Sequence, residues 1–297
     1  MIDKLEFFIM LARHQHFGRA AEEAGVTQPT LSAAIKQLEE QLGVSLVQRG
    51  SRFQGLTPEG QRVLDWARRI VGDARTMREE MRVARRGLSG TLRISAIPTA
   101  LAMVARLTTP FRERHPDVTF SILSRTSVEV LADLDHLEAD AGLTYVDNEP
   151  LGRVTILPLY SERYQLITAF GTPFADRDSV SWAEVATLPL CLMTPEMQNR
   201  RIINKHLLAA GVQPSATMES NSTIALLSHV LTGKWASIMP FDLALLGLSA
   251  TLRAIPITEP DVSHRIGLVV PKREPHTPLV AALLQEARLL AAETAGS

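Results

Sequence analysis

The sequence predicts an α/β protein with an N-terminal all-α winged helix-turn-helix and a long linker helix leading into a two-lobed α/β body. Three observations predict it. A short helical hairpin ends in a helix whose apolar residues Leu31, Ile35, Leu38 and Leu42 recur with the helical period. A second, longer helix carries an apolar repeat of about 3.5 residues. Beyond it, strand-like and helix-like runs alternate through two successive units, the pattern of largely parallel α/β sheets.

Leu5, Phe8, Ile9 and Ala12 share one face of a first helix, which Phe7, Met10 and Leu11 widen. The run from Gly18 to Ala24 is a short helix in which Ala20, Ala21 and Ala24 let a second helix cross closely, and Gly25 ends it. The next helix spans about Pro29 to Gln41, with Thr27 as its cap and Pro29 in its first turn, where a missing N–H costs little. Helix, glycine turn, amphipathic helix is the helix-turn-helix plan, whose second helix enters the major groove of DNA. The candidate DNA-contacting residues on its outward face are Gln28, Pro29, Thr30, Ser32, Ala33 and Lys36. Gln28 can bond bidentately to adenine, Ser32 to either base type, and Lys36 to phosphate or guanine. An ordinary helical hairpin satisfies the same periodicity, so the pattern alone leaves both open. The runs 43–49 and 52–57 around Gly50-Ser51 predict a hairpin wing. Arg49 and Arg52 flank its tip, where they could reach phosphates or a minor groove, or stand as solvated loop arginines.

Thr57-Pro58-Glu59 opens the long helix, which runs to about Arg86. Val63, Ala67, Ile70, Ala74, Met77, Met81, Ala84 and Leu88 form its seam, with charged residues outside. Such a stripe needs a partner. The same helix of a second subunit is favoured over the chain's own body, because a homodimer supplies two reading helices.

In the body, strands are expected at 91–97, 118–123 and 141–145, each of the first two leading into a helix. In such sheets ligands lie beyond the C-terminal strand ends, at helix N-termini. Thr99 and Ala100, and the pair Thr126-Ser127, hold those positions and are candidate contacts for a small anion such as a carboxylate. Plain helix capping is the alternative. A second unit has strands at 164–169, 190–193 and 235–240, and Thr194, Asn199 and Ser222 precede its helices as further candidates. A late strand at 266–270 is expected to return to the first unit, followed by a terminal helix from Pro278. Two lobes across a cleft is the periplasmic-binding-protein-like plan. The expected division is 1–58 for the winged helix-turn-helix, 59–87 for the linker helix, 88–161 with 267–297 for lobe I, and 162–266 for lobe II.

Hydrophobic residues are 45% and charged residues 21% of 297, an ordinary globular composition. The net charge of -1 conceals an asymmetry: 14 Lys/Arg against 11 Asp/Glu through Gly87, and 17 against 21 after it. A mildly basic module on an acidic body suits a DNA-binding unit joined to a larger non-DNA domain. The one cysteine, Cys191, excludes an intrachain disulfide and reads as a buried small hydrophobe. Asp3, Lys4, Glu6 and Arg13 interrupt any signal-peptide core, and no run is apolar enough to span a membrane, so a cytoplasmic protein is expected. Neither a Gly-rich nucleotide loop, nor a metal-spaced His/Cys cluster, nor a Gly-x-Ser-x-Gly elbow occurs, so no metal, cofactor or enzyme activity is expected.

Phe17-Gly18-Arg19-Ala20-Ala21, Val26-Thr27-Gln28-Pro29-Thr30-Leu31-Ser32, Ile35-Lys36-Gln37-Leu38-Glu39, Leu42-Gly43-Val44 and Leu56-Thr57-Pro58-Glu59-Gly60, at these spacings, strongly resemble the LysR-type transcriptional regulators. Phe111-Arg112-Glu113-Arg114-His115-Pro116-Asp117-Val118 extends the resemblance into the body. Val47 stands where that family usually has phenylalanine, Ala33 where a basic residue is frequent, and Lys234-Trp235 replaces small residues. The resemblance implies a winged helix, a linker-helix dimer commonly assembled as a homotetramer, and a two-lobe inducer domain. It implies base contacts from Gln28, Pro29 and Ser32, phosphate contacts near Lys36, wing contacts from Arg49 and Arg52, and an effector cleft near Thr99, Ser127, Thr194 and Ser222. The sequence also resembles the subgroup encoded beside formate dehydrogenase operons. The expected function is activation or repression at a promoter or operator in double-stranded DNA, modulated by a small effector, with room for contact with RNA polymerase. An α/β enzyme and a ligand-independent architectural DNA-binding protein are the alternatives.

Overall fold

The computed structural model describes residues 1–48, 53–240, 243 and 247–295. Helices α1 (Ile2–His14), α2 (Phe17–Glu23) and α3 (Gln28–Leu42) form the N-terminal bundle. His16 caps α2 and Thr27 caps α3 by accepting the Thr30 N–H at 3.4 Å. Leu31, Ile35 and Leu38 are buried in one apolar cluster with Phe8, Leu11, Ala20 and Ala21, so α3 turns its polar side outward. Glu39, late in α3, is half-buried. Its carboxylate accepts the N–H groups of Leu46 (2.6 Å) and Val47 (3.2 Å) and fixes the start of the wing. The wing is an antiparallel hairpin held by a single bridge, Val47 to Leu56, among the described residues. Arg49, Gly50, Ser51 and Arg52 lie outside the described residues.

Helix α4 (Pro58–Arg86) is opened by the Thr57 cap. Its expected seam is divided between two faces. Of the seam, Ala67 and Ala74 are buried against the chain's own elements together with Val71, whereas Ile70, Met77 and Met81 are 38%, 57% and 59% exposed, beside Trp66 at 61%. Packing on the chain's own body therefore claims one side of the helix and leaves an apolar stripe on the other.

Lobe I holds β1 (Gly90–Ala96), α5 (Leu101–Arg114), β2 (Val118–Ser124), α6 (Ser127–Asp135), β3 (Ala141–Tyr145) and β4 (Val154–Arg163). Lobe II holds β5 (Gln165–Ala169), β6 (Val180–Ser181), α7 (Trp182–Val185), β7 (Cys191–Met193), α8 (Gln198–Ala209), β8 (Met218–Ser220), α9 (Thr223–Val230), β9 (Ser237–Met239) and β10 (Leu252–Thr258). The chain returns through β11 (Ser263–Pro271) and ends in α10 (Pro278–Ala295). The lobe I sheet has the order β2-β1-β3-β11-β4, with β11 antiparallel to both neighbours, so it is mixed rather than largely parallel. Lobe II has a four-stranded sheet β6-β10-β5-β9 and the parallel pair β7-β8. The lobes are joined twice, at Tyr164 between β4 and β5 and at 259–262 between β10 and β11. The Ile257 N–H donates to the Tyr164 carbonyl at 3.1 Å, tying the crossings together. Among the described residues no helix is long and apolar enough to cross a membrane.

Candidate DNA-binding surface and effector cleft

The α3 surface is organised by its cap. With Leu31, Ile35 and Leu38 committed to the core, the side chains of Gln28, Pro29, Thr30, Ser32, Ala33 and Lys36 are all exposed. Thr30 differs from the others, because its hydroxyl is 2.8 Å from that of the capping Thr27. Among the described residues Lys36 has only Glu40 as an ion-pair partner, at 4.0 Å on an open surface, which leaves its ammonium available. The face is short, polar and led by a helix N-terminus, which suits close approach to phosphates and base edges.

The cleft is built where strand ends meet helix starts. β1 and β3 run parallel, and the Ile97 N–H donates to Leu143 O at 3.1 Å, so the turn carrying Thr99 stands beside the end of β3. The expectation of Thr99 as a helix cap does not hold. Residues 98–100 form a 3-10 turn, Thr99 is buried, and its Oγ1 has no hydrogen-bond partner among the described residues. Ala100 is fully buried behind it and caps α5 without a side-chain bond. Thr126, by contrast, spends its hydroxyl on a capping box with Glu129. Ser127 takes no part in that box; it stands at the α6 N-terminus and is buried.

Lobe II faces this with the start of α8, which begins at Gln198, so Asn199 lies in its first turn rather than in a preceding loop. Thr194 follows β7 and donates to Glu196 at 2.7 Å, while Ser222 follows β8 and caps α9 through the Ala225 N–H at 3.4 Å. Both hydroxyls are thus partly committed within lobe II. Asn199 reaches lobe I, its Nδ2 standing 3.4 Å from the Tyr145 hydroxyl. The Asn199 Oδ1, Gln198 Nε2 and Thr144 Oγ1 atoms are buried without partners among the described residues.

The residue that joins the two walls is one the sequence does not single out. Arg201 in α8 donates to both Glu149 carboxylate oxygens, at 2.7 and 2.9 Å from Nη2, and to Ser127 Oγ at 3.4 Å. Its Nη1 is anchored on the Glu196 carbonyl at 2.6 Å. A cation of lobe II therefore spans to a carboxylate and a hydroxyl of lobe I. Behind it, Tyr145 and Tyr160 donate to the buried Glu162 at 2.9 and 3.2 Å, and burial pushes the Glu162 carboxyl up to about 8. Among the described residues no cluster of His, Cys, Asp and Glu could hold a metal ion. The arrangement offers what a small anion requires: a cation, a helix N-terminus and, at Thr99 and Thr144, buried hydroxyls without partners among the described residues.

Comparison with known proteins agrees with this fold. Residues 2–61 match the bacterial regulatory helix-turn-helix protein of the lysR family, and residues 85–291 match the LysR substrate binding domain. The chain is similar to a hydrogen peroxide-inducible genes activator of Pectobacterium carotovorum subsp. carotovorum, 28% identical over 240 residues, covering 80% of this chain and 79% of that protein. Among solved structures it is similar to a full-length OxyR mutant from Pseudomonas aeruginosa, with a TM-score of 0.71, 23% identity, and coverage of 97% and 95% of the two chains. It is also similar to full-length CbnR complexed with its target DNA, with a TM-score of 0.57, 23% identity, and coverage of 98% and 99%.

Proposed function

The chain belongs to the LysR family of DNA-binding transcriptional regulators, and we propose that it reports a small carboxylate, bound between its lobes, to the DNA-binding unit through α6. The observation that carries this reading is the Arg201–Glu149 pair, in which a side-chain carboxylate of the protein already sits on the cleft's cation beside Ser127. A carboxylate effector competes with Glu149 for the same guanidinium fork, and Ser127 and Thr99 supply hydroxyls to it. Thr126, Thr194, Asn199 and Ser222 shape the surrounding walls. The resemblance to regulators encoded beside formate dehydrogenase operons makes formate the first probe.

In this reading α3 enters the major groove with Gln28, Pro29 and Ser32 at the bases, Thr30 and Ala33 in close contact, and Lys36, Arg49 and Arg52 toward phosphates. Two copies pair through α4, with a tetramer as the fuller assembly, and RNA polymerase is the expected partner at the promoter.

Relay requires a contact that both sites bias. α6 begins at Ser127 in the cleft and ends at a loop whose Leu137 is buried in the apolar cluster of the N-terminal bundle with Phe8, Leu64 and Val71. Leu137 takes φ +62, a left-handed conformation that costs a leucine about 1–2 kcal/mol. Ion pairs flank it, Arg13 with Glu138 and Arg68 with Asp135 at 3.3 Å, and Arg75 donates to the Leu137 carbonyl at 2.7 Å. A shift of the α6 N-terminus on ligand binding is thereby carried to the surface against which α1 and α4 rest.

A peroxide response through a thiol is the second reading, prompted by the name of the Pectobacterium relative. Cys191 disfavours it: it is the chain's only cysteine, it is buried, and burial pushes its thiol up to about 11, where the reactive thiolate is scarce.

Calorimetric titration with formate and other small carboxylates tests the cleft. Arg201→Gln is expected to weaken binding at least tenfold, and Glu149→Gln to strengthen it by removing the competitor. Equal affinities in the wild type and Arg201→Gln would overturn the assignment.

A further inference from the structure

Away from the cleft, α4 and lobe I enclose a cavity of about 330 Å³ whose lining includes Arg75, Arg78, Arg82, Arg93 and Arg273, against Glu79 and Asp140. The pairing of these charges is incomplete. Arg93 is spent on Asp140 at 2.7 Å, and Arg78 has Glu6 at 4.0 Å. Arg75, Arg82 and Arg273 have no carboxylate within 4.0 Å among the described residues. Burial pulls the Arg75 and Arg273 guanidinium groups below their ordinary value, and for Arg75 the neighbouring Arg93 and Arg273 charges add to the effect.

Two glycines admit these groups. A Cβ on Gly72, in the interior of α4, would collide with the Arg273 guanidinium. A Cβ on Gly90, at φ +118, would stand 2.7 Å from Arg82 Nη2. Glycine inside a helix is unfavourable relative to alanine, and here it lets a cation lie against the backbone. The cavity also lies on the side of α4 roughly opposite the exposed stripe. At about 100° per residue, Arg75, Glu79 and Arg82 point away from Trp66, Ile70, Met77 and Met81. A second helix seated on that stripe leaves the cavity intact.

We propose that this cavity is a second ligand site, separate from the cleft, for a small multiply charged oxyanion of the phosphate class. Three guanidinium groups from two units of the molecule converge on it, and arginine forks match phosphate oxygens bidentately. His276, Thr277 and Thr91 line the same space; the Thr277 hydroxyl is hydrogen-bonded to Glu79, and that of Thr91 lies 2.9 Å from the Thr119 hydroxyl. Glu79 is the opposing group: burial raises its carboxyl, and one of its oxygens is buried without a hydrogen-bond partner among the described residues. Arg75 and Arg82 belong to α4, whereas Arg93 in β1 and Arg273 between β11 and α10 belong to lobe I. An anion held by both fastens the linker helix to the effector lobe.

The test is calorimetry on the full chain with inorganic pyrophosphate, against sodium chloride of equal ionic strength. One saturable site per chain is expected. Arg82→Gln and Arg273→Gln each weaken it at least tenfold, Glu79→Gln strengthens it, and the cleft variant Arg201→Gln leaves it unchanged. Arg82 is exposed, so its replacement tests the site without threatening the fold. Binding that Arg82→Gln leaves unchanged in a folded protein overturns the proposal, as does the absence of saturable binding or an equal loss in Arg201→Gln. Succinate is expected to bind more weakly than pyrophosphate, and the reverse order overturns the phosphate assignment.

Discussion

Glu162 is sealed at the junction of β4 and β5, two hydrogen bonds from Asn199 by way of Tyr145. Its carboxyl is raised by burial to about 8 in the folded chain, against an ordinary value of 4.5. The folded state therefore holds a proton that the unfolded state releases earlier. The associated stability is full below about pH 4.5 and is lost as pH rises toward about 8, at up to about 1.4 kcal/mol per pH unit. Glu162→Gln keeps hydrogen-bonding capacity and removes the titration. Denaturant unfolding from pH 5 to 9 is expected to show a shallower decline in this variant than in the wild type, and parallel curves would contradict the assignment. On α3, replacing Gln28 or Ser32 by Ala is expected to cost about 1–3 kcal/mol on specific DNA and little on random DNA. Equal losses on both would remove these residues from base reading. At this scale the sequence shows which hydroxyls stand at helix starts, but not which are already spent. Thr126 is consumed by its capping box and Thr99 has no partner, although both read alike. Arg201 was illegible for a different reason, because Glu149 and Ser127 lie 52 and 74 residues earlier in the chain and meet it only after both lobes fold.

Helix α6 is short, yet it has one end in the cleft and the other on the N-terminal bundle. Leu137→Ala removes the buried contact while leaving Ser127 and Arg201 in place. Carboxylate affinity and DNA affinity are expected to persist, and the effect of carboxylate on DNA binding is expected to vanish. A full response in fluorescence anisotropy with labelled DNA would show that coupling travels elsewhere. Helix α4 shows how periodicity is ambiguous about its customer. Its repeat is real, but the alanines of the seam face the chain's own body and the methionines face outward. Met77→Glu with Met81→Glu is expected to convert dimers to monomers in light scattering and to weaken operator binding. An unchanged mass would detach this stripe from self-association. The start of α3 was legible because a cap, a proline and an apolar period are all local signals. Strand β4 was not, because Pro158 argues against a strand. The structure resolves this by placing β4 at the sheet edge, with Pro158 opposite Gly267 at a register shift.

At the scale of the molecule, the DNA-binding unit is not tethered loosely. It rests on lobe I through Leu137, flanked by ion pairs and by the arginine-lined cavity. Two lobes and their alternating elements could be read from the sequence because each strand and helix advertises its own period. The docking of one unit on another could not, since it depends on side chains such as Arg13 and Glu138 that are far apart in the chain. The chain crosses between the lobes twice, at Tyr164 and at 259–262, and Arg201 bridges the facing walls. The most direct measurement is a footprint of the full chain on the DNA upstream of its own coding sequence, near physiological salt, with and without formate and related small carboxylates, in the wild type and Arg201→Gln. The account predicts specific protection whose pattern changes with one carboxylate in the wild type and stays fixed in Arg201→Gln. Specific protection that no carboxylate alters, or that the same compound alters equally in both proteins, would contradict it.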